Sequence, residues 1–259
     1  MSELGDASGR SDWAPDLSRR LAYFSLLGGA SRLIPVPWID DWAVDYVRRR
    51  MFATLLAAAG LSASQSQIRL LTGGQLPPWY KRGCLSLLAL PIKAVAYVLG
   101  SLFRKILYVF AAKSAADNAV RVFCEGHLLG YLARTRWLTQ ARLVDEPFLL
   151  WVHWAITTSL HASDPRFLRT AMRRVFKKNR EELSQAAADL KRVRRESRTD
   201  EAPPDEVPPL PEQPSALTRA ADAVLGVFAS DPQFLRQLEE EIEARLPNSR
   251  KTREDRLTS

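Results

Sequence analysis

The residues best equipped for chemistry are few, and their spacing does not combine them. His127, His153 and His161 are the only histidines. The last two fall eight residues apart in one helical pattern, a rotation of about 80° that keeps them from forming the i, i+4 pair of a zinc helix. Cys84 and Cys124 each stand alone in apolar helical patterns, which predicts buried free thiols in a reducing compartment. Asp40, Asp41 and Asp45 gather one or two turns ahead of Arg48, Arg49 and Arg50. Such carboxylates could hold a metal or share a proton, but at a helix start they complement the macrodipole, and that is their expected role. HExxH, CxxC, P-loop, GxSxG and dinucleotide fingerprints are all absent from the sequence. No catalytic, cofactor-binding or metal-binding residue is therefore assigned, no cofactor is expected, and the chain is not expected to be an enzyme.

The elements that would position any site are helices. Ala, Leu and Arg dominate and β-branched runs are scarce, so the expected fold class is all-α, a helical bundle with a duplicated helical hairpin in the C-terminal half. Asp16 or Ser18 can cap a first helix that loosens at Gly28-Gly29. Pro35 and Pro37 make residues 33–41 a stiff connector. A helix from Ile39 to Ala59 ends at Gly60, which suits the left-handed position, and Ser62 or Ser64 opens a short helix closed by Thr72-Gly73-Gly74. From Lys113 to about Arg134 the pattern predicts another helix, on which Lys113, Asp117, Arg121 and Glu125 repeat at four-residue steps. That ladder of alternating charge is expected on a solvated face. Gly126 and Gly130 permit a close neighbour there. Trp38 with Trp42 and Trp151 with Trp154 keep helical spacing and read as core, although the first pair also suits a lipid headgroup level.

One stretch raises the question of a membrane. Cys84 to Phe103 is twenty residues with a single charge, Lys93. It is fenced by Trp79, Tyr80, Lys81 and Arg82 before it and by Arg104, Lys105 and Tyr108 after it, the residue types that collect at bilayer edges. Pro91 and Lys93 fall at its centre, where a lysine costs roughly 2.5–3.5 kcal/mol and proline removes a backbone hydrogen bond. Lys93, Tyr97, Ser101, Arg104 and Tyr108 form a polar stripe opposite an apolar one, the signature of an interfacial or core helix rather than a span. Trp79, Tyr80, Lys81, Arg82, Lys93, Arg104, Lys105 and Tyr108 are the membrane-contact candidates.

The second half repeats itself. Residues 147–169 and 214–236 align at a constant offset of 67, and ASDP-x-FLR recurs in both. Asp164 and Asp231 can cap, with Pro165 and Pro232 at the first helical position, so each stretch reads as a helical hairpin. The pair could pack on one another pseudo-symmetrically. The expected organisation is a helical domain over 1–140, a first hairpin with a long basic helix over 141–196, a proline-rich acidic linker over 197–213, a second, acidic hairpin over 214–246 and a tail over 247–259. The basic helix is expected to run to Arg195, about 45 Å long. Its arginines and lysines, Arg169, Arg173, Arg174, Lys177 and Lys178, are the anionic-surface candidates. Glu240, Glu241 and Glu243 on the acidic arm are the candidates for pairing with it, within a chain or between chains.

Charge is concentrated as well. Residues 166–198 hold twelve Arg or Lys against four Asp or Glu, an excess equal to the +8 of the whole chain. Three readings fit such a segment: a solvated face balancing the acidic arm, an anionic lipid contact, and, third, nucleic acid, which lacks interleaved aromatics or a surrounding module to support it. The N-terminus has no apolar core behind a basic start, so it is not expected to be a secretory signal. Ile34, Pro35, Pro37 and Asp40, with the apolar helix that follows, give residues 30–134 a resemblance to the EcsC-like bacterial helical proteins. The resemblance implies a bacterial, all-helical, membrane-associated protein and no reaction. The sequence thus suggests a non-enzymatic scaffold or adaptor in the cytoplasm, peripheral to the inner membrane, with anionic lipid and itself or another protein as partners. A soluble oligomeric interaction protein is the alternative.

Overall fold

The structure is a computed structural model describing residues 15–33, 39–73, 100–199 and 215–246. These form nine α-helices and one short 3-10 turn, and among the described residues there is no strand, so the all-α bundle is what the chain adopts. The helices are α1 (Pro15–Ser31), α2 (Ile39–Ala58), α3 (Gln65–Leu71), α4 (Gly100–Arg134), α5 (Glu146–Ala162), α6 (Arg166–Lys178), α7 (Arg180–Thr199), α8 (Ser215–Ala229) and α9 (Pro232–Glu243). The 3-10 turn, Arg142–Val144, precedes α5.

Local chemistry explains several ends. Ser64 caps α3 through a capping box in which its hydroxyl accepts from Gln67 N while the Gln67 side chain accepts from Ser64 N. Gly60 and Gly73 take positive φ of 73° and 71° after the helices they close. A Cβ at Gly73 would lie 2.3 Å from His153 Nε2, so the turn after α3 passes directly over that ring.

Around these elements a single apolar cluster draws buried residues from all nine helices. At its centre α1 lies along α4 and also touches α2, α7 and α8. Gly28 and Gly29 do not loosen α1, which stays helical to Ser31. They let it sink into its neighbours: a Cβ at Gly29 would stand 2.2 Å from Phe176 and 2.8 Å from Ala115 O, and one at Gly28 would stand 2.7 Å from Val122. Gly126 does open the expected close approach, here to Leu21 and Met51.

Two helix boundaries depart from expectation. Lys113 begins nothing, because α4 runs unbroken for 35 residues from Gly100. The long basic helix, conversely, divides at Asn179, whose side-chain Nδ2 donates to Val175 O at 2.8 Å and competes with the continuing ladder. The division separates α6, which packs on α4 and α8, from α7, which packs on α1 and α2 and extends to Thr199. In the second half α5 lies against α9 while α6 lies against α8. Residues 84–99 of the apolar stretch and residues 200–213 of the expected linker fall outside the described residues, whereas its first three positions, 197–199, belong to α7.

Candidate functional site

The charge ladder on α4 is a solvated face only at Lys113 and Arg121. Glu125 is fully buried. Its carboxylate accepts from Arg48 Nε on α2 at 2.6 Å and from Arg121 Nε one turn earlier at 2.8 Å. Burial by itself pushes this carboxyl up, but the two guanidiniums together outweigh it and hold Glu125 below the usual carboxylate range. One turn before Arg121, Asp117 faces Arg169 at 3.8 Å and Arg173 at 3.5 Å, both from α6. These separations are long for hydrogen bonds, and Asp117 Oδ1, Arg169 Nε and Arg173 Nε are buried without a hydrogen-bond partner. The row repeats every four residues, but α2 lies on one side of it and α6 on the other, and both supply arginines. Sequence reasoning assigned Arg48 and Glu125 no role together, since their pairing spans 77 residues. The available signal was a glutamate flanked by Cys124, Gly126 and an apolar run.

The anionic-surface candidates divide accordingly. Arg169 and Arg173 turn partly inward to Asp117, whereas Arg174, Lys177 and Lys178 are exposed. Beside the exposed cations stands Phe167, 59% accessible. The other large apolar side chains left exposed among the described residues are Val144, Leu150 and Trp154, all on or just before α5. Trp154, expected in the core, is 52% accessible. Its neighbour Trp151 meets the expectation in part, packing against the core and stacking on Phe148.

The arm-pairing candidates also find local roles. Glu243 accepts from Tyr131 OH on α4, Glu241 pairs with Arg245 one turn on, and Glu240 is exposed. Next to them Glu239 accepts from His127 Nε2 at 2.8 Å. Both arms therefore reach α4, the basic one through Asp117 and the acidic one through His127 and Tyr131.

The remaining candidates for chemistry are structural. His153 Nδ1 donates to Leu71 O at 3.0 Å, and burial lowers its pKa below the ordinary histidine value despite that bond. His161 Nδ1 donates to Thr157 O. Cys124 is a buried free thiol, as expected, its pKa pushed up by burial. Asp41 pairs with Arg32 and Asp45 with Arg49. Among the described residues no three His, Cys, Asp or Glu side chains converge to hold a metal ion. Of the membrane-contact candidates, Trp79, Tyr80, Lys81, Arg82 and Lys93 lie outside the described residues, and Arg104, Lys105 and Tyr108 lie in the first turns of α4. Among the described residues no helix is long and apolar enough to cross a membrane.

What the fold and these groups define is an all-α bundle with an ionic spine on its central helix and a basic helix, α6, whose exposed side carries Phe167. No family model matches this chain, and neither a curated protein nor a solved structure does.

Proposed function

We propose that this protein is a non-enzymatic bacterial adaptor that docks peripherally on anionic membrane from the cytoplasmic side through the outer face of α5 and α6. The observation that carries the reading is Phe167, exposed on the same helix as the exposed Arg166, Arg174, Lys177 and Lys178. Phe167, Thr170, Arg174 and Lys177 follow one another at three- and four-residue steps, so they share one side of α6. An aromatic ring can enter the boundary between headgroups and acyl chains while neighbouring cations meet lipid phosphate, each worth about 1 kcal/mol near an anionic surface. On α5, Leu150 and Trp154 are also exposed and, four residues apart, share one side of that helix. The resemblance of residues 30–134 to membrane-associated helical proteins points the same way. We read the two hairpins as copies of one unit, a reading supported by the shared ASDP-x-FLR and by the reciprocal packing of α5 on α9 and α6 on α8.

Co-sedimentation with phosphatidylethanolamine–phosphatidylglycerol vesicles at low salt tests this. Binding is expected, weakened by salt, by Lys177→Glu with Lys178→Glu, and by Phe167→Ala. Absence of binding to these vesicles at low salt rejects the proposal. Concentration-dependent self-association without vesicle binding would favour the soluble oligomeric adaptor, and salt-sensitive retention on DNA or RNA would favour nucleic acid.

A further inference from the structure

A cavity of about 320 Å³ is lined by α4, α5, α6 and the end of α1, and the polar part of its lining suits an anion. Arg32 reaches it from the end of α1, Asp117, Asn118 and Arg121 from α4, Thr157 from α5 and Arg169 from α6. Arg121 is held in place, since its Nε donates to the buried Glu125. That carboxylate also serves Arg48, and Asp117 likewise serves both Arg169 and Arg173. Four guanidiniums thus share two carboxylates, and of these Arg121, Arg169 and Asp117 line the cavity, which together with Arg32 leaves surplus positive charge there. The other charges nearby do not cancel it: Arg32 pairs with Asp41, and Asp164 pairs with Arg166 at 2.7 Å. His161 beside them points Nδ1 at Thr157 O.

Unmet hydrogen-bonding capacity gives the ligand its chemistry. Arg169 Nε and Thr157 Oγ1 are buried without hydrogen-bond partners, and so is the acceptor Asp117 Oδ1. Buried polar atoms are ordinarily paired; Arg169 Nε and Asp117 Oδ1 face each other at 3.8 Å, too far to satisfy one another, so with Thr157 Oγ1 they imply a missing group that can both accept and donate. A carboxylate or sulfate only accepts. A phosphate that retains one proton accepts from the arginines and threonine and donates to Asp117.

We propose that this cavity binds a singly protonated phosphate group, and that Asp117 selects phosphate over sulfate by accepting its proton. The group could be the free ion or a phosphomonoester headgroup, and the proposal does not depend on membrane docking. Titration calorimetry on the full chain at neutral pH, with inorganic phosphate and then sulfate at matched ionic strength, tests it. Phosphate is expected to bind at one site and sulfate at least about tenfold more weakly, because a buried acceptor facing sulfate is left unpaired. Asp117→Asn should close that gap. Arg169→Gln should weaken phosphate by about tenfold or more, and Thr157→Val, which keeps the side-chain shape, by several-fold. Arg219→Gln on the exposed side of α8 should change nothing. If phosphate also displaces the protein from phosphatidic acid vesicles, the source is a headgroup; if phosphate binds and leaves vesicle binding untouched, it is the free ion. No phosphate binding, or equal phosphate and sulfate affinities that Thr157→Val leaves unchanged, would overturn the proposal. Loss of vesicle binding in Phe167→Ala with phosphate affinity intact would mark the two proposals as separate.

Discussion

Asp164-Pro165-Arg166-Phe167-Leu168 and Asp231-Pro232-Gln233-Phe234-Leu235 differ at one position, yet they bury their apolar pair in opposite senses. Phe167 is 59% accessible over a buried Leu168, whereas Phe234 is 7% accessible and Leu235 only partly buried. The helix starts differ by one residue. Asp231 accepts from Phe234 N at 3.1 Å, and α9 begins at Pro232. In the other hairpin Arg166 takes the carboxylate, its Nε lying 2.7 Å from Asp164 Oδ2 and its backbone N 3.2 Å from Oδ1. The Arg166 hydrogen bond also holds Asp164 below the usual carboxylate range. Pro165 then becomes the cap position and α6 begins at Arg166. One residue is about 100° of helix rotation, enough to move an aromatic ring from core to surface. A motif repeated almost letter for letter does not carry its burial with it, and the exposed phenylalanine belongs to the helix that bears the cations.

The contrast can be pressed experimentally. Phe234→Ala should destabilise the fold by about 3–5 kcal/mol, as truncation of a buried aromatic does, while Phe167→Ala should stay within about 0.5 kcal/mol. Denaturant midpoints for the two variants measure this, and equal losses would mean that the two rings are equivalent. A smaller gap is expected at the caps. Asp231→Ala should cost about 1 kcal/mol and Asp164→Ala less, since of the two only Asp231 accepts from the backbone N three residues on.

The smallest effect concerns pH. His153 on α5 aligns with Ala220 on α8, so only the first of the two repeated stretches carries a half-buried imidazole. Its folded pKa lies below the ordinary value, chiefly through burial, and Arg48 and Arg121 add to the lowering while Glu125 opposes it. The unfolded chain therefore binds this proton more readily, and the stability contribution is complete above pH about 6.5 and falls as pH drops through the folded value. Glu125 adds a loss of the same sign at lower pH, because its folded pKa is also depressed. Amide exchange on acidification should loosen α5 before α8, and His153→Gln should flatten that limb.

Much of the local structure was legible because it closes within a few residues. The Ser64–Gln67 box, the left-handed Gly60 and the Asp231-Pro232 helix start each depend on neighbours in sequence. The apolar stripe of Leu168, Met172 and Val175 identified the buried side of α6 by period alone. The continuity of α4 through Lys113 and the division at Asn179 were less accessible, since propensity favours helix on both sides of each. The candidate site was legible only in part. Arg174, Lys177 and Lys178 were visible as charge and remain exposed, but the outward turn of Phe167 and Trp154 was not.

By itself the sequence determined that this chain is helical, where several helices begin and end, and that its positive charge is concentrated in one segment. Those properties follow from backbone hydrogen bonds made three or four residues away and from composition. Only the tertiary structure decided that Glu125 is buried between Arg48 and Arg121, that Gly29 is a contact rather than a hinge, and that Asp117 and Thr157 meet at one cavity. Whether a charge faces water or two guanidiniums depends on which helix packs beside it, and residues far apart in the chain set that choice.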